Sequence, residues 1–104
     1  MPALRKTMTV DKGATFRVAV QVCEADEVTP KDLTGCTATF VIKRNGALVT
    51  TLNPVVSDEG WVTTRMQFTS TLPTGENSYH LDLTWPSGDI DRLFYGPFEV
   101  KDNG

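Results

Sequence analysis

One histidine and two cysteines in 104 residues leave little material for a metal centre. Structural and catalytic zinc sites draw clustered Cys and His ligands at short spacings, and none is present here. Cys23 and Cys36 stand apart with no partner motif. They are expected to be small buried or half-buried thiols, with a bridge between them as the lesser alternative. No apolar run approaches the ~20 residues of a membrane helix. The start, Met1-Pro2-Ala3-Leu4-Arg5-Lys6, has no apolar signal core behind its charges, so the chain is expected to stay soluble in the cytosol unless it leaves inside a larger particle. Basic residues are not in excess: 10 Lys and Arg against 13 Asp and Glu give a net charge of −3. Only Arg5–Lys6 and Lys43–Arg44 are adjacent basic pairs, so no nucleic-acid partner is expected. Apolar residues at helical spacing are missing too, so no long helix is expected. The glycines are dispersed among the turns, and no phosphate-cradling loop exists.

What the chain does have is alternation. Phe16, Val18, Val20 and Val22 form one stripe. Cys36, Ala38, Phe40 and Ile42 form a second; Val62, Thr64, Met66 and Phe68 a third; Tyr79, Leu81, Leu83 and Trp85 a fourth. Each lies opposite a more polar face, as a half-buried strand requires. A first short strand is expected near Lys6–Val10, followed by the turn Asp11-Lys12-Gly13. Asn45-Gly46 is the strongest hairpin signal, because both residues tolerate positive φ. Asp58-Glu59-Gly60 and Pro86-Ser87-Gly88-Asp89 are further turns. The longer connections Glu24–Gly35 and Thr69–Asn77 fit crossings between two sheets. Near the end, Leu93 and Tyr95 are expected to share one face, and Gly96-Pro97 marks a bulge or edge crossing.

The fold class expected is therefore all-β: an immunoglobulin-like antiparallel β-sandwich of about seven to nine strands with Greek-key connections. It forms a single domain over 1–104. Residues 1–10 serve as an edge strand or as an interaction arm, and 101–104 form a flexible tail. The stretch Leu72–Leu81 has the form of an immunoglobulin corner, in which the Tyr79 hydroxyl would bond back to its own loop; the alternative is a plain core tyrosine.

Chemistry is sparse. His80 lies between Ser78 and Asp82 on a polar strand face. Residues two apart share a face by necessity, so a solvated histidine is the simpler reading than a general base. Asp89 and Asp91 could share a calcium ion, but the acidic loop such an ion needs is absent. No catalytic, cofactor-binding or metal-binding residue is assigned. The aromatics say more. Trp61 is placed on the side of Thr63 and Arg65, away from the Val62 stripe, and Phe94 opposite Leu93 and Tyr95. With Met8 of the N-terminal arm, these make Trp61, Phe94, Met8 and Arg65 the candidate interface, because large aromatics dominate interface energetics. A sugar-binding platform uses exposed aromatics as well.

The order of signals resembles a family of small immunoglobulin-like β-sandwich proteins of tailed bacteriophage virions. The matching stretches are Phe16–Val22, Asp32-Leu33-Thr34-Gly35 into Ala38–Ile42, and Gly60-Trp61-Val62 into Met66–Thr69. They continue with Leu72-Pro73-Thr74-Gly75 followed by Tyr79-His80-Leu81-Asp82-Leu83, and Arg92–Gly96 with Phe98–Val100. The resemblance implies a multi-copy, non-enzymatic virion component of tail, fibre, baseplate or head surface, assembled in the bacterial cytoplasm. Its partners would be other virion proteins or copies of itself, with no cofactor, nucleic acid or membrane insertion. The alternative is a carbohydrate-binding or adhesin module for a cell-surface glycan.

Overall fold

The computed structural model describes residues 4–24, 26, 28–66, 69 and 72–102. Phe68, Met1–Ala3 and Asn103–Gly104 lie outside those residues. Nine strands follow in order: β1 (Leu4–Arg5), β2 (Met8–Asp11), β3 (Phe16–Gln21), β4 (Thr37–Arg44), β5 (Ala47–Leu52), β6 (Val55–Val56), β7 (Trp61–Met66), β8 (Gly75–Thr84) and β9 (Ile90–Lys101). The larger sheet runs β1-β9-β8-β4-β5, with β2 also on β9, and the smaller runs β3-β7-β6. This is the strand distribution of an immunoglobulin-like Greek-key sandwich. All strand pairings are antiparallel except those of the N-terminal arm, whose two strands run parallel to β9.

The turns behave as their residues dictate. Asn45 and Gly46 both take positive φ, 52° and 80°, as the primed turn between β4 and β5 requires. The connections 22–36 and 67–74 carry the chain from one sheet to the other. So does Lys12–Thr15, between β2 and β3, where a buried threonine holds the corner. Thr69 donates from its hydroxyl to the Ala14 carbonyl at 2.5 Å and accepts from the Gly13 N–H at 3.0 Å.

The core is where the four stripes meet. Phe40, Ile42, Leu81, Leu83 and Phe98 are fully buried. Four aromatic rings, Phe16, Phe40, Tyr79 and Phe98, meet there. Phe16 meets Phe98 edge-on at 4.9 Å, and Phe40 stacks on Tyr79 at 5.3 Å. Cys23 and Cys36 are both free and half-buried, and burial raises the Cys36 thiol above its usual range.

Three local expectations are corrected. β8 begins at Gly75, so Gly75–Asn77 are strand rather than loop; the Asn77 amide donates to the Pro73 carbonyl at 3.1 Å and fixes the entry. The Tyr79 hydroxyl does not bond back to its own loop but donates to the Lys6 carbonyl, 2.7 Å away in the N-terminal arm. Finally, the bulge of β9 lies at Leu93, not at Gly96-Pro97. Leu81 pairs with Phe94 and Asp82 with Arg92, which leaves Leu93 as the extra residue. Leu93 and Phe94 therefore both pack toward the core, and Tyr95, 40% exposed, turns outward.

Gly96 has a different task. It lies opposite Tyr79, and a Cβ there would come within 2.6 Å of the Lys6 carbonyl oxygen. Its φ of 147° also disfavours any side chain. The Lys6 peptide thus sits against a bare backbone, its carbonyl held by Tyr79 and its N–H by the Tyr95 carbonyl at 2.8 Å. That bond shows that Tyr95 directs its polar groups toward the arm, and alternation gives Pro97 the same direction. The N–H that proline lacks thus falls in the gap between β1 and β2, where no strand is there to accept it.

Candidate functional site

The arm's choice of β9 leaves β3 without an outer neighbour. β3 pairs with β7 along Phe16–Gln21 and with no other described strand. The direction of its free polar groups follows from the ladder. The Val22 N–H donates to the Gly60 carbonyl at 2.8 Å, so this opposed pair is hydrogen-bonded. Hydrogen-bonded and non-bonded pairs alternate in an antiparallel ladder. Phe16, Val18 and Val20 therefore bond to β7, while Arg17, Ala19 and Gln21 point their N–H and C=O groups outward. The side chains alternate in the other dimension: Phe16 is buried, Val18 and Val20 half-buried, and Arg17, Ala19 and Gln21 exposed.

Two concavities flank this edge. On the inner side, a slot of about 290 Å³ opens between β3 and the arm, with Met8, Phe16, Val18, Val20 and Phe94 among its walls. On the outer side, a shallow depression of about 470 Å³ lies over the face of the smaller sheet, with Ala19, Val55 and Thr63 flanked by Arg17 and Arg65. The candidate residues sort between them. Trp61, 40% exposed, and Arg65 lie on the outer face. Met8 and Phe94 line the slot and pack half-buried against the core. This corrects the outward placement expected for Phe94, and its cause is the bulge at Leu93. The four residues do not form one patch; the β3 edge lies between two pairs of them.

Arg17 was not singled out from the sequence. It stands directly opposite Arg65 in the β3–β7 register. Side chains so placed have Cβ atoms about 5 Å apart, and like charges there are mutually unfavourable. Among the described residues, neither guanidinium has a hydrogen bond or an ion pair. In sequence the two arginines are far apart, and only the register makes them neighbours. At the other end of the same sheet, the Asp58-Glu59-Gly60 turn leads into Trp61, and the Gln21 amide donates to the Glu59 carbonyl at 3.1 Å. The smaller sheet is thus basic at its Arg17 end and acidic at its Gln21 end.

The outer face of the larger sheet is electrostatically closed by comparison. Arg92 donates to both oxygens of Asp82, at 2.9 and 3.4 Å, and His80 Nδ1 is 3.1 Å from the same carboxylate but poorly aligned with it. Burial lowers the His80 pKa, and Arg92 adds to the effect against the pull of Asp82. Across the ladders His80 faces Val41 and Tyr95. Its neighbour Ser78 donates to the Lys43 carbonyl at 3.4 Å. Asp91 accepts from the Trp85 indole at 2.7 Å. Among the described residues, no three His, Cys, Asp or Glu side chains gather into a metal-sized cluster.

No family model and no curated protein matches this sequence. Among solved structures, extracellular domains 3–5 of Drosophila OTK align over 98% of this chain, at 13% identity and a TM-score of 0.41. The chain spans 33% of that structure's length.

Proposed function

We propose that this chain is a non-enzymatic structural and assembly module of a tailed bacteriophage particle. It is made in the host cytoplasm, carried in many copies at the tail, fibre, baseplate or head surface, and acts through protein–protein contacts. The observation that supports this reading is the open β3 edge, with outward backbone groups, a slot of mixed polar and apolar lining on one side and unpaired arginines on the other. An unprotected strand edge is a template for another chain. Like-charged groups held side by side are tolerated most readily where a partner supplies the opposite charge. The resemblance in the order of sequence signals supplies the setting.

The test is antibody labelling of particles produced by the encoding genome. Label fixed to purified particles is the expected result. Protein that stays entirely in the particle-free fraction overturns the reading. The exposed indole of Trp61 beside a shallow outer depression also suits a sugar ring. A glycan that binds the isolated chain, with loss of binding in Trp61→Ala, would favour a carbohydrate-binding module instead.

A further inference from the structure

We infer that the β3 edge is the contact through which two copies of this chain pair, antiparallel, about a two-fold axis at Ala19. The inference rests on the assembly reading above and names the partner of its surface as a second copy. It starts from parity. Only Arg17, Ala19 and Gln21 direct backbone groups outward. A hydrogen-bonded register between two β3 strands must therefore set odd residues against odd residues. With the axis at Ala19, Arg17 faces Gln21 of the second copy, Ala19 faces its own equivalent, and Gln21 faces Arg17.

Side chains and charges agree with that register. At the axis the side chain is a methyl group, which lets two edges approach. On the inner side, Val18 meets Val20 of the second copy, beside the slot that Met8 and Phe94 line. On the outer side, antiparallel pairing lays the basic end of one sheet beside the acidic end of the other. Arg17 reaches the Gln21 position next to which the Glu59 turn is held. An axis at Arg17 would oppose two like charges, one at Val18 would set Arg17 against Ala19, and one at Val20 or Gln21 would carry the arginines past the Gln21 position beside the acidic turn. No proline, lysine or bulge interrupts Phe16–Gln21, and the edge's one charge, Arg17, is the group that this register sets beside the acidic turn. A two-fold contact is self-complementary, and this one would convert two three-stranded sheets into one continuous sheet of twice the width.

The experiment is the mass of the full chain in solution across a concentration series. A concentration-dependent dimer is expected. Ala19→Pro removes an N–H that β7 does not use, and proline is tolerated on an outward-facing edge. Ala19→Lys places two ammonium groups face to face at the axis. Both variants should give the monomer mass, and an unchanged far-ultraviolet circular dichroism spectrum should show Ala19→Lys still folded. Arg17→Glu and Glu59→Arg should each weaken the dimer, and the double exchange should restore it. A wild-type chain that stays monomeric at every concentration overturns the inference, as does a dimer indifferent to both Ala19 variants. A monomer that still labels particles removes the inference and leaves the assembly reading standing. A dimer with the expected responses that labels no particle does the reverse.

Discussion

The two sheets of this sandwich answer the same physical demands in opposite ways. In the larger sheet the N-terminal arm covers the outer edge of β9, and the outer charges are neutralised by Arg92 on Asp82. In the smaller sheet β3 is bare, as is the two-residue β6 on the other side, and two arginines face each other without a carboxylate. Both sheets contribute to one core, so the difference is not one of hydrophobicity. It lies in where the arm docks. Gly96 clears room for the Lys6 peptide, and Tyr79 supplies the hydrogen bond that holds it. At β9 the larger sheet is closed from within the chain and its free edge falls at β5; in the smaller sheet the arm closes nothing, and β3 is left to be completed from outside.

That contrast can be broken most forcefully at the shared core. Phe40 is fully buried between the sheets, in contact with three other aromatic rings. Phe40→Ala should cost about 3–5 kcal/mol by chemical denaturation. A loss near that of an exposed threonine would mean the sheets do not meet there. The arm's seat comes next. Gly96→Ala drives a methyl group against the Lys6 carbonyl and imposes an unfavourable φ, so it should cost about 2–3 kcal/mol. Tyr79→Phe keeps the ring stack and removes only the hydroxyl, for about 1–2 kcal/mol. In both variants hydrogen exchange should quicken in residues 4–11 before it does in β4 or β8. Uniform quickening would show that the arm is not a separately seated element.

Much of this architecture was legible in advance, because burial on one face writes itself into every second residue. The stripes through Phe16, Ala38, Val62 and Tyr79 have the phase expected wherever the residues are described, and the Asn45-Gly46 turn has both positive φ values. The bulge at Leu93 was not legible. Leu93, Phe94 and Tyr95 are all apolar or aromatic, so alternation there carries no phase, and one extra residue reverses which ring faces out. The site was hidden for another reason. Trp61 and Arg65 could be placed on one face from a single strand, but the Arg17 partnership exists only through inter-strand register. Whether β3 is an edge at all depends on a docking decision made by Lys6 and Gly96, more than seventy residues apart in extent from Lys6 to Tyr79 alone.

Acidification should act on the closed sheet. Burial holds the folded His80 pKa below its unfolded value. Above the unfolded value, near pH ~6.5, neither state carries the proton and the group contributes no pH slope. As pH falls below that point the unfolded chain takes up a proton the folded chain resists, so stability declines until the folded pKa is passed. A denaturation midpoint followed from pH about 7.5 to about 5.5 should fall, and His80→Gln should flatten the decline. An equal slope in the variant would assign it to the carboxylates instead.

The smallest effects separate the sheets most cleanly, because they compare like with like. Arg92→Ala removes a two-point contact to a largely buried carboxylate and should cost about 0.5–1 kcal/mol. Arg65→Ala removes a charge with no described partner that stands opposite another arginine. It should change stability by less than about 0.5 kcal/mol, with the sign toward stabilisation as the repulsion with Arg17 is relieved. The same truncation should weaken any contact that the outer face makes. Two arginines on one small domain would then answer to different selections: Arg92 to the fold, and Arg65 to something the isolated fold does not contain. A clear destabilisation by Arg65→Ala would erase that distinction and assign Arg65 to the fold as well.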